Sequence, residues 1–231
     1  MKIGIIGAME QEIKILREKI EAPISWERGN ALFISGTLGH HEVIVVRSGI
    51  GKVAASITTS LLIQKYGVNM VINTGSAGGI GKGLSVGDIV ISDKLAYFDV
   101  DVTGFGYQPG QLPGGMPLYF EASRYLIQTM TEAAEKTQLN VKKGLIVTGD
   151  TFVDHPEKIQ KILADFPDAL ACEMEGAAIA QTAQQFKIPF LVVRAISDTA
   201  DHQATQSFDE FIEEAGKRSA EMVIEFVNHL K

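Results

Sequence analysis

Four carboxylates lie close to the ends of apolar runs that predict strands. Acidic side chains in such positions could take part in catalysis. Glu12 shortly follows the run KIGIIGA, and Asp198 ends the run PFLVVRAISD. Glu173 and Glu175 flank a single methionine in CEMEGAAIA. An unpaired charge in apolar surroundings is costly, because desolvation disfavours the ionised form. A carboxyl group held neutral in such a setting can donate a proton, and an ionised neighbour can accept one. Paired acid and base carboxylates are typical of cleavage through a cationic, sugar-like transition state.

Each of these acids also has an ordinary structural interpretation. Glu12 falls in the first turn of a predicted helix, where an acid complements the helix dipole. Asp198 could begin a helix as its N-cap, and the acids of EMEG could be an exposed pair. The apolar neighbours of EMEG argue against exposure. Arg194 lies four residues before Asp198 on the same face of a strand, so it either pairs with a nearby acid or is a satisfied interior cation.

Two glycine-rich segments imitate nucleotide-binding motifs without matching them. NTGSAGGIGKG, at 73–83, has Ser76 and Gly83 where a phosphate-binding P-loop needs Gly and Ser or Thr. SGIGKVA resembles a dinucleotide fingerprint, but the acid expected about twenty residues later is missing. Small residues still let the backbone approach a ligand closely. Both segments therefore remain either ligand-binding loops or tight turns between strand and helix.

Composition excludes several classes of protein. The 231 residues carry a net charge of -7, whereas nucleic acids and anionic membranes select basic patches. The lone Cys172 excludes an intrachain disulfide and any multi-cysteine metal site. No apolar run reaches the ~18 residues of a membrane helix, and no signal peptide is visible. We expect a cytoplasmic protein without cofactor or metal. The histidines lack metal-ligand spacing and are expected at the surface: His40, His41, His155, His202 and His229.

The elements that must position the acids alternate along the chain. Apolar runs predict strands at 2–8, 31–37, 42–48, 70–79, 88–99, 143–148 and 189–196. Helical spacing predicts helices at 9–21, 52–66, 123–138, 156–164, from EMEG to 186, and at 207–230. Residues 103–118, rich in Gly and Pro, predict a long and therefore functional loop. No linker divides the chain, so we expect one α/β domain over 1–231 with helices on both faces of a central sheet.

Several segments together resemble a known family. In chain order they are MKIGIIGAMEQE, SGIGKVAA, NTGSAGG, VGDIVISD, FGYQPGQLPG, GLIVTGDTF, EMEGAAIA, PFLVVRAISD and SFDEF. They resemble the bacterial 5'-methylthioadenosine/S-adenosylhomocysteine nucleosidases of the nucleoside phosphorylase superfamily. The resemblance implies a single α/β domain with three αβα layers around a twisted mixed sheet. It also implies hydrolysis of an N-glycosidic bond in a small nucleoside, giving adenine and a thio-substituted ribose.

The resemblance also implies roles for individual residues. Glu12 is expected to activate the attacking water, Glu175 to hold the ribose 2'-hydroxyl, and Asp198 to protonate adenine N7. Phe152 is expected to stack on adenine and the Val153 backbone to recognise its edge. The other expected substrate-binding residues are Met9, Ser76, Gly78, Glu173, Met174, Arg194, Ser197 and Phe208. A neighbouring subunit is expected to contribute Val102, Phe105 and Pro113, which implies a homodimer.

Other functions remain possible at this stage. A purine nucleoside phosphorylase would use phosphate, which needs cationic or amide-rich recognition. Hydrolases of futalosine or 5'-deoxyadenosine belong to the same chemical class. A dinucleotide-dependent oxidoreductase lacks its ribose-binding acid here, and a non-catalytic nucleoside-binding protein would have no need of all three acids. Three departures from the family pattern leave substrate preference open: Phe98, Gly176 and His155-Pro156.

Overall fold

The computed structural model describes residues 1–137, 139–199 and 204–230. Its strands are β1 (Lys2–Gly7), β2 (Glu21–Arg28), β3 (Ala31–Leu38), β4 (His41–Arg47), β5 (Met70–Gly79), β6 (Ile89–Tyr97), β7 (Phe120–Glu121), β8 (Val141–Thr148), β9 (Ala169–Glu173) and β10 (Phe190–Asp198). Its helices are α1 (Glu10–Lys19), α2 (Lys52–Leu61), α3 (Arg124–Ala134), α4 (Pro156–Asp165), α5 (Gly176–Gln185) and α6 (Ala204–His229). A π-helical turn, Leu62–Tyr66, continues α2, and a 3-10 turn spans Thr103–Phe105.

The strands form one mixed sheet, and this confirms the predicted α/β class. One part is a wing in the order β1-β4-β3-β2. In the other part, five strands form a closed ring. β10 pairs with both β5 and β6, and the ring continues from β6 through β8 and β9 back to β5. The closing pair, β5 with β9, is short and antiparallel. Strands buried on both faces read as continuous apolar runs, and every residue of β10 is buried.

Two groups of helices cover the sheet. α6 packs on β5 and β10 and contacts α1 and α3, whereas α2 packs on α5, which contacts β6 and β8. The α1–α6 contact is close at Gly216, where an added Cβ would lie 2.6 Å from the Gln11 carbonyl oxygen. This contact matters for the site, because Gln11 precedes Glu12 in the first turn of α1.

Some elements differ from those predicted. β2 was not predicted, because this edge strand is mostly exposed and contains Pro23, which predicts the end of the preceding helix. β9 was also missed, since its five residues adjoin the EMEG motif. The helix predicted at 123–138 ends as α3 at Ala134, and the one predicted at 52–66 changes to the π-helical turn after Leu61.

The prediction that the histidines lie at the surface is wrong for His41. Its ring is buried, and Nε2 lies 3.3 Å from the Leu230 carbonyl oxygen, so the terminal part of α6 covers it. His40 and His155 are exposed, and His229 is half-buried. His202 lies outside the described residues. Over the described ranges, no helix combines the length and the apolar character needed to cross a membrane.

Candidate active site

A cavity of about 350 Å³ opens where β1, β5, β9 and β10 end and α1 and α5 begin. Ligands of open α/β sheets settle at such strand ends. Glu12, Glu175 and Asp198 all line this one cavity. Most of the other residues expected from the sequence also line it: Met9, Ser76, Gly78, Phe152, Val153, Glu173, Met174, Ser197 and Phe208. Arg194 does not line the cavity but lies behind its carboxylates.

Glu12 joins the start of α1 to β5. Its Oε2 atom accepts hydrogen bonds from the backbone N–H groups of Ala8 (2.7 Å) and Met9 (3.1 Å). Its Oε1 atom accepts from the backbone N–H (2.9 Å) and the hydroxyl (3.1 Å) of Ser76. Four donors therefore replace the water that this almost fully buried carboxylate has lost. The arrangement suits an anion held in a fixed orientation.

Arg194 is a fully buried guanidinium that faces three carboxylates. Its Nη2 atom contacts Glu173 and lies 3.3 Å from Glu175 Oε2, and its Nη1 atom lies 3.9 Å from Glu12 Oε1. Nη2 also donates to Asn73 Oδ1 at 2.7 Å. Burial alone would lower the pKa of Arg194, but the three carboxylates more than compensate and raise it. This cation therefore remains charged and holds the acids together.

Gly75 makes the approach of Arg194 to Glu12 possible. A Cβ atom at this position would collide with both the Arg194 guanidinium and the Glu12 carboxylate. The glycine in NTGSAGG thus provides space for an ion pair rather than for a phosphate group. This resolves one alternative that the sequence left open.

Glu173 binds the backbone at the start of α5. Its carboxylate accepts hydrogen bonds from the Thr148 hydroxyl and from the backbone N–H groups of Glu175 (3.0 Å) and Gly176 (2.7 Å). Together with Arg194 these donors occupy both carboxylate oxygens. Glu173 lines the cavity, but its hydrogen bonds are made to the protein itself.

Glu175 is the N-cap residue of α5 and has fewer partners. Oε1 accepts from the Gly51 backbone N–H at 2.9 Å, and Oε2 accepts from Arg194 at 3.3 Å. Burial raises the pKa of Glu175 to about 7, opposed by Arg194 and reinforced by Glu173 and Glu12. Its carboxylate is therefore poised to change charge near neutral pH.

Asp198 lies at the end of β10, where the register with β5 shifts between Ile196 and Asp198. Such a bulge re-aims a side chain. The Ser197 hydroxyl donates to Asp198 Oδ2 at 2.8 Å, and both residues are buried. Cys172 lines the same end of the cavity, and burial, with the charges of Asp198 and Glu173, raises the pKa of its thiol.

Apolar side chains form the remaining wall. The rings of Phe152 and Phe208 are 5.8 Å apart and nearly perpendicular. Met9, Val153 and Met174 complete a surface that suits a flat heterocycle and an apolar substituent. The sequence analysis missed Ala8, Ile50, Ala77, Thr151 and Cys172, whose only signal was proximity in the chain to predicted residues.

The three residues expected from a neighbouring subunit do not line this cavity. Phe105 is 86% exposed, Pro113 is exposed, and Val102 is half-buried. Within the described part of the chain, no group of three or more His, Cys, Asp or Glu side chains could hold a metal ion.

Comparisons with known proteins identify the family of the chain. A family model described as the phosphorylase superfamily matches residues 2–228. The 5'-methylthioadenosine/S-adenosylhomocysteine nucleosidase of Aeromonas salmonicida is 51% identical, with 100% of both chains covered. That of an Exiguobacterium species is 48% identical, covering 100% of this chain and 99% of the relative. The crystal structure of the Neisseria meningitidis nucleosidase with methylthio-immucillin-A has a TM-score of 0.97, at 46% identity and 99% coverage of each chain.

The raised pKa of Glu175 predicts an unusual dependence of stability on pH. Because the folded pKa (about 7) lies above the ordinary value of 4.5, the folded chain binds this proton more tightly than the unfolded chain does. Glu175 therefore lowers stability progressively as pH rises from about 4.5 to about 7. We expect Glu175→Gln to remove this loss. The melting temperature of the variant, measured relative to that of the parent chain, should therefore rise as the pH rises from about 4.5 to about 7. The gain is of order 3 kcal/mol in the free energy of unfolding.

Thermal unfolding at a series of pH values between 4.5 and 8 measures this difference. Glu18→Gln is a matched control, because Glu18 is exposed on the same chain. A difference between the Glu175→Gln and parent melting temperatures that stays constant with pH would contradict the raised pKa.

Proposed function

The chain belongs to the phosphorylase superfamily and, through its full-length similarity, to the 5'-methylthioadenosine/S-adenosylhomocysteine nucleosidase family, and we infer that it hydrolyses the N-glycosidic bond of both nucleosides. The products are adenine and the corresponding thio-substituted ribose. One observation carries this proposal: Glu12, Glu175 and Asp198, which lie far apart in the sequence, line a single cavity.

We propose that Asp198 protonates the leaving group. Adenine gains electrons as its bond to the sugar breaks, and a proton delivered to N7 makes it a better leaving group. The hydrogen bond from the Ser197 hydroxyl to Oδ2 orients the Asp198 carboxyl group, which lines the cavity. Proton transfer of this kind contributes about 10²–10⁴-fold to the rate.

Glu175 and Glu12 act on the sugar. The C1' atom becomes positive as the bond breaks, and an ionised Glu175 that binds the 2'-hydroxyl stabilises this charge. Glu12, fixed by its four donors, accepts a proton from the water that attacks C1'. Three carboxylates around the single Arg194 leave excess negative charge, which favours a cationic transition state over a neutral substrate.

The remaining residues bind the substrate or position the catalytic acids. We assign Phe152 and the Val153 backbone to adenine, Met174, Ser76 and Gly78 to the ribose, and Met9 and Phe208 to the 5'-alkylthio group. Glu173 and Arg194 position Glu175, since their contacts are made to the protein. We also propose that residues 1–231 act as one nucleosidase domain. The expected cytoplasmic location remains a prediction, consistent with the single cysteine.

A phosphorylase is a weaker proposal, because the cavity offers little to phosphate. No Lys or Arg is among the described residues that line it. Arg194, the nearest buried cation, is already shared by three carboxylates. A phosphate dianion would meet Glu12 and Glu175 without a compensating cation, whereas water carries no charge.

We propose a homodimer from an exposed apolar surface on and near α2. Val53 and Ile57, one helical turn apart, are 71% and 57% exposed, and the preceding Ile50 is 59% exposed. Ile50 also lines the candidate active site. A partner covering this surface could bring its own Phe105 to the open cavity. This would explain why a large apolar ring lies exposed in the loop 103–118.

Product identification tests the proposed reaction. We expect purified protein to release free adenine from methylthioadenosine and from S-adenosylhomocysteine at rates that do not change when phosphate is added. Chromatography identifies the base and the sugar. Futalosine and 5'-deoxyadenosine are tested in parallel as competing substrates. A ribose 1-phosphate product that requires phosphate would instead establish the phosphorylase.

Asp198→Asn separates binding from chemistry. The amide cannot transfer a proton to N7, but it retains the size of the carboxyl group. We therefore expect turnover to fall by at least about 100-fold while methylthioadenosine still binds. Adenine release measures the first quantity and calorimetric titration the second. Near-normal hydrolysis by this variant would refute the role of Asp198.

Ile57→Lys tests the proposed dimer. A charge in an apolar interface opposes association, so we expect the sedimentation mass to fall from that of two chains to that of one, with activity falling in parallel. Ile24→Lys is the matched control, because Ile24 is also exposed (71%, against 57% for Ile57) but lies on the edge strand β2. A parent protein that sediments as a single chain at micromolar concentration would rule out the dimer.

A further inference from the structure

A second cavity, of about 730 Å³, adjoins the candidate active site. The two cavities share Ala8, Met9 and Ile50. Five polar or charged side chains line the second cavity but not the first: Glu10, Gln11, Glu27, Asn30 and Arg47. We call it the Arg47 groove. Neither the mechanism nor the family resemblance gives these five side chains a role.

Arg47 is the last residue of β4, where it lies between Leu32 of β3 and Gly7 of β1. Its side chain is half-buried, and its Nε atom is buried without a hydrogen-bond partner. Within the part of the chain that the structure describes, it forms no ion pair, in contrast to Arg194. A buried donor without a partner is costly, and such groups mark places where a ligand or an ordered water binds.

Glu10 provides the opposite charge in the same groove. Its carboxylate forms an ion pair with Arg17 Nη1 at 2.5 Å, and its Oε1 atom is buried and accepts no hydrogen bond. Glu10 and Arg47 do not pair with each other among the described ion pairs. The groove thus offers a guanidinium that has no ion-pair partner among the described residues and, beside it, a carboxylate that is paired with Arg17. A ligand group that carries a carboxylate and an ammonium group close together would pair with Arg47 through the first and share Glu10 with Arg17 through the second.

We propose that the Arg47 groove binds the α-amino acid end of a 5'-thioether substituent, with the carboxylate on Arg47 and the ammonium group on Glu10. The inference rests on the proposed function, because it places the 5'-alkylthio group beside Met9, which the two cavities share. A substituent that continues beyond the sulfur enters the groove there. The methyl group of methylthioadenosine is too short to reach it. Arg47 and Glu10 are therefore specificity-determining residues for S-adenosylhomocysteine.

The test compares two substrates in the same variant. Arg47→Met keeps the length of the side chain and removes the guanidinium, which pairs with a carboxylate through two parallel hydrogen bonds. We expect the ratio of kcat/KM for S-adenosylhomocysteine to that for methylthioadenosine to fall by about tenfold, through KM rather than kcat. Arg47→Lys should restore part of the ratio. Arg28→Met, on an exposed residue outside the groove, should not change it.

A second measurement does not depend on the folding of any variant. The parent protein is compared on S-adenosylhomocysteine and on analogues that lack either its carboxylate or its amino group. We expect KM to rise for both analogues, and Glu10→Gln to raise KM only for substrates that retain the amino group. Equal KM values for the three compounds, or an unchanged ratio in Arg47→Met, would overturn the inference while leaving the proposed function intact. Failure of the parent protein to cleave either nucleoside would overturn both.

Discussion

The candidate site depends on one buried cation that is shared by three acids. Without Arg194, the largely buried carboxylates of Glu12, Glu173 and Glu175 would repel one another with little solvent to screen them. Removing one partner from a buried ionic network costs about 3–5 kcal/mol, because the remaining charges are left uncompensated. Burial raises the pKa of Glu175 in spite of Arg194, and Glu173 and Glu12 reinforce this rise. Arg194 therefore makes the burial of these acids compatible with folding, while three carboxylates around one guanidinium still leave a net negative charge that favours a cation.

The closed ring of strands makes this network possible. Arg194 and Asp198 lie on the same strand, β10, whose neighbour β5 supplies Asn73 and Ser76. The short antiparallel pairing of β9 with β5 closes the ring and brings Glu173 and Glu175 to the same end. Four strand ends meet there, and helices α1 and α5 begin there, with Glu12 in the first turn of α1 and Glu175 at the N-cap of α5. Backbone pairing thus fixes where the acids lie relative to one another.

Much of this arrangement was predictable from local sequence. Charged residues inside apolar runs identified Glu12, Glu175 and Asp198, and continuous apolar runs identified the buried strands β1, β5 and β10. Contacts between distant segments left no such signal. The Gly51 N–H that binds Glu175 is 124 residues away in the chain, and the Ser76 groups that bind Glu12 are 64 away. The exposed strand β2, the buried His41 and the Arg47 groove were missed for the same reason, since each depends on what the fold places beside it.

The chain's one thiol acquires its chemical character from this electrostatic setting. Cys172 lies in the wall of the cavity, where burial and the neighbouring carboxylates hold its proton firmly. Oxidants and alkylating reagents attack the thiolate form, which is scarce here at physiological pH. We expect the Cys172 thiol to react slowly with peroxide and with covalent inhibitors directed at sulfur. Reversible ligands that imitate a positively charged sugar exploit the same surplus of negative charge.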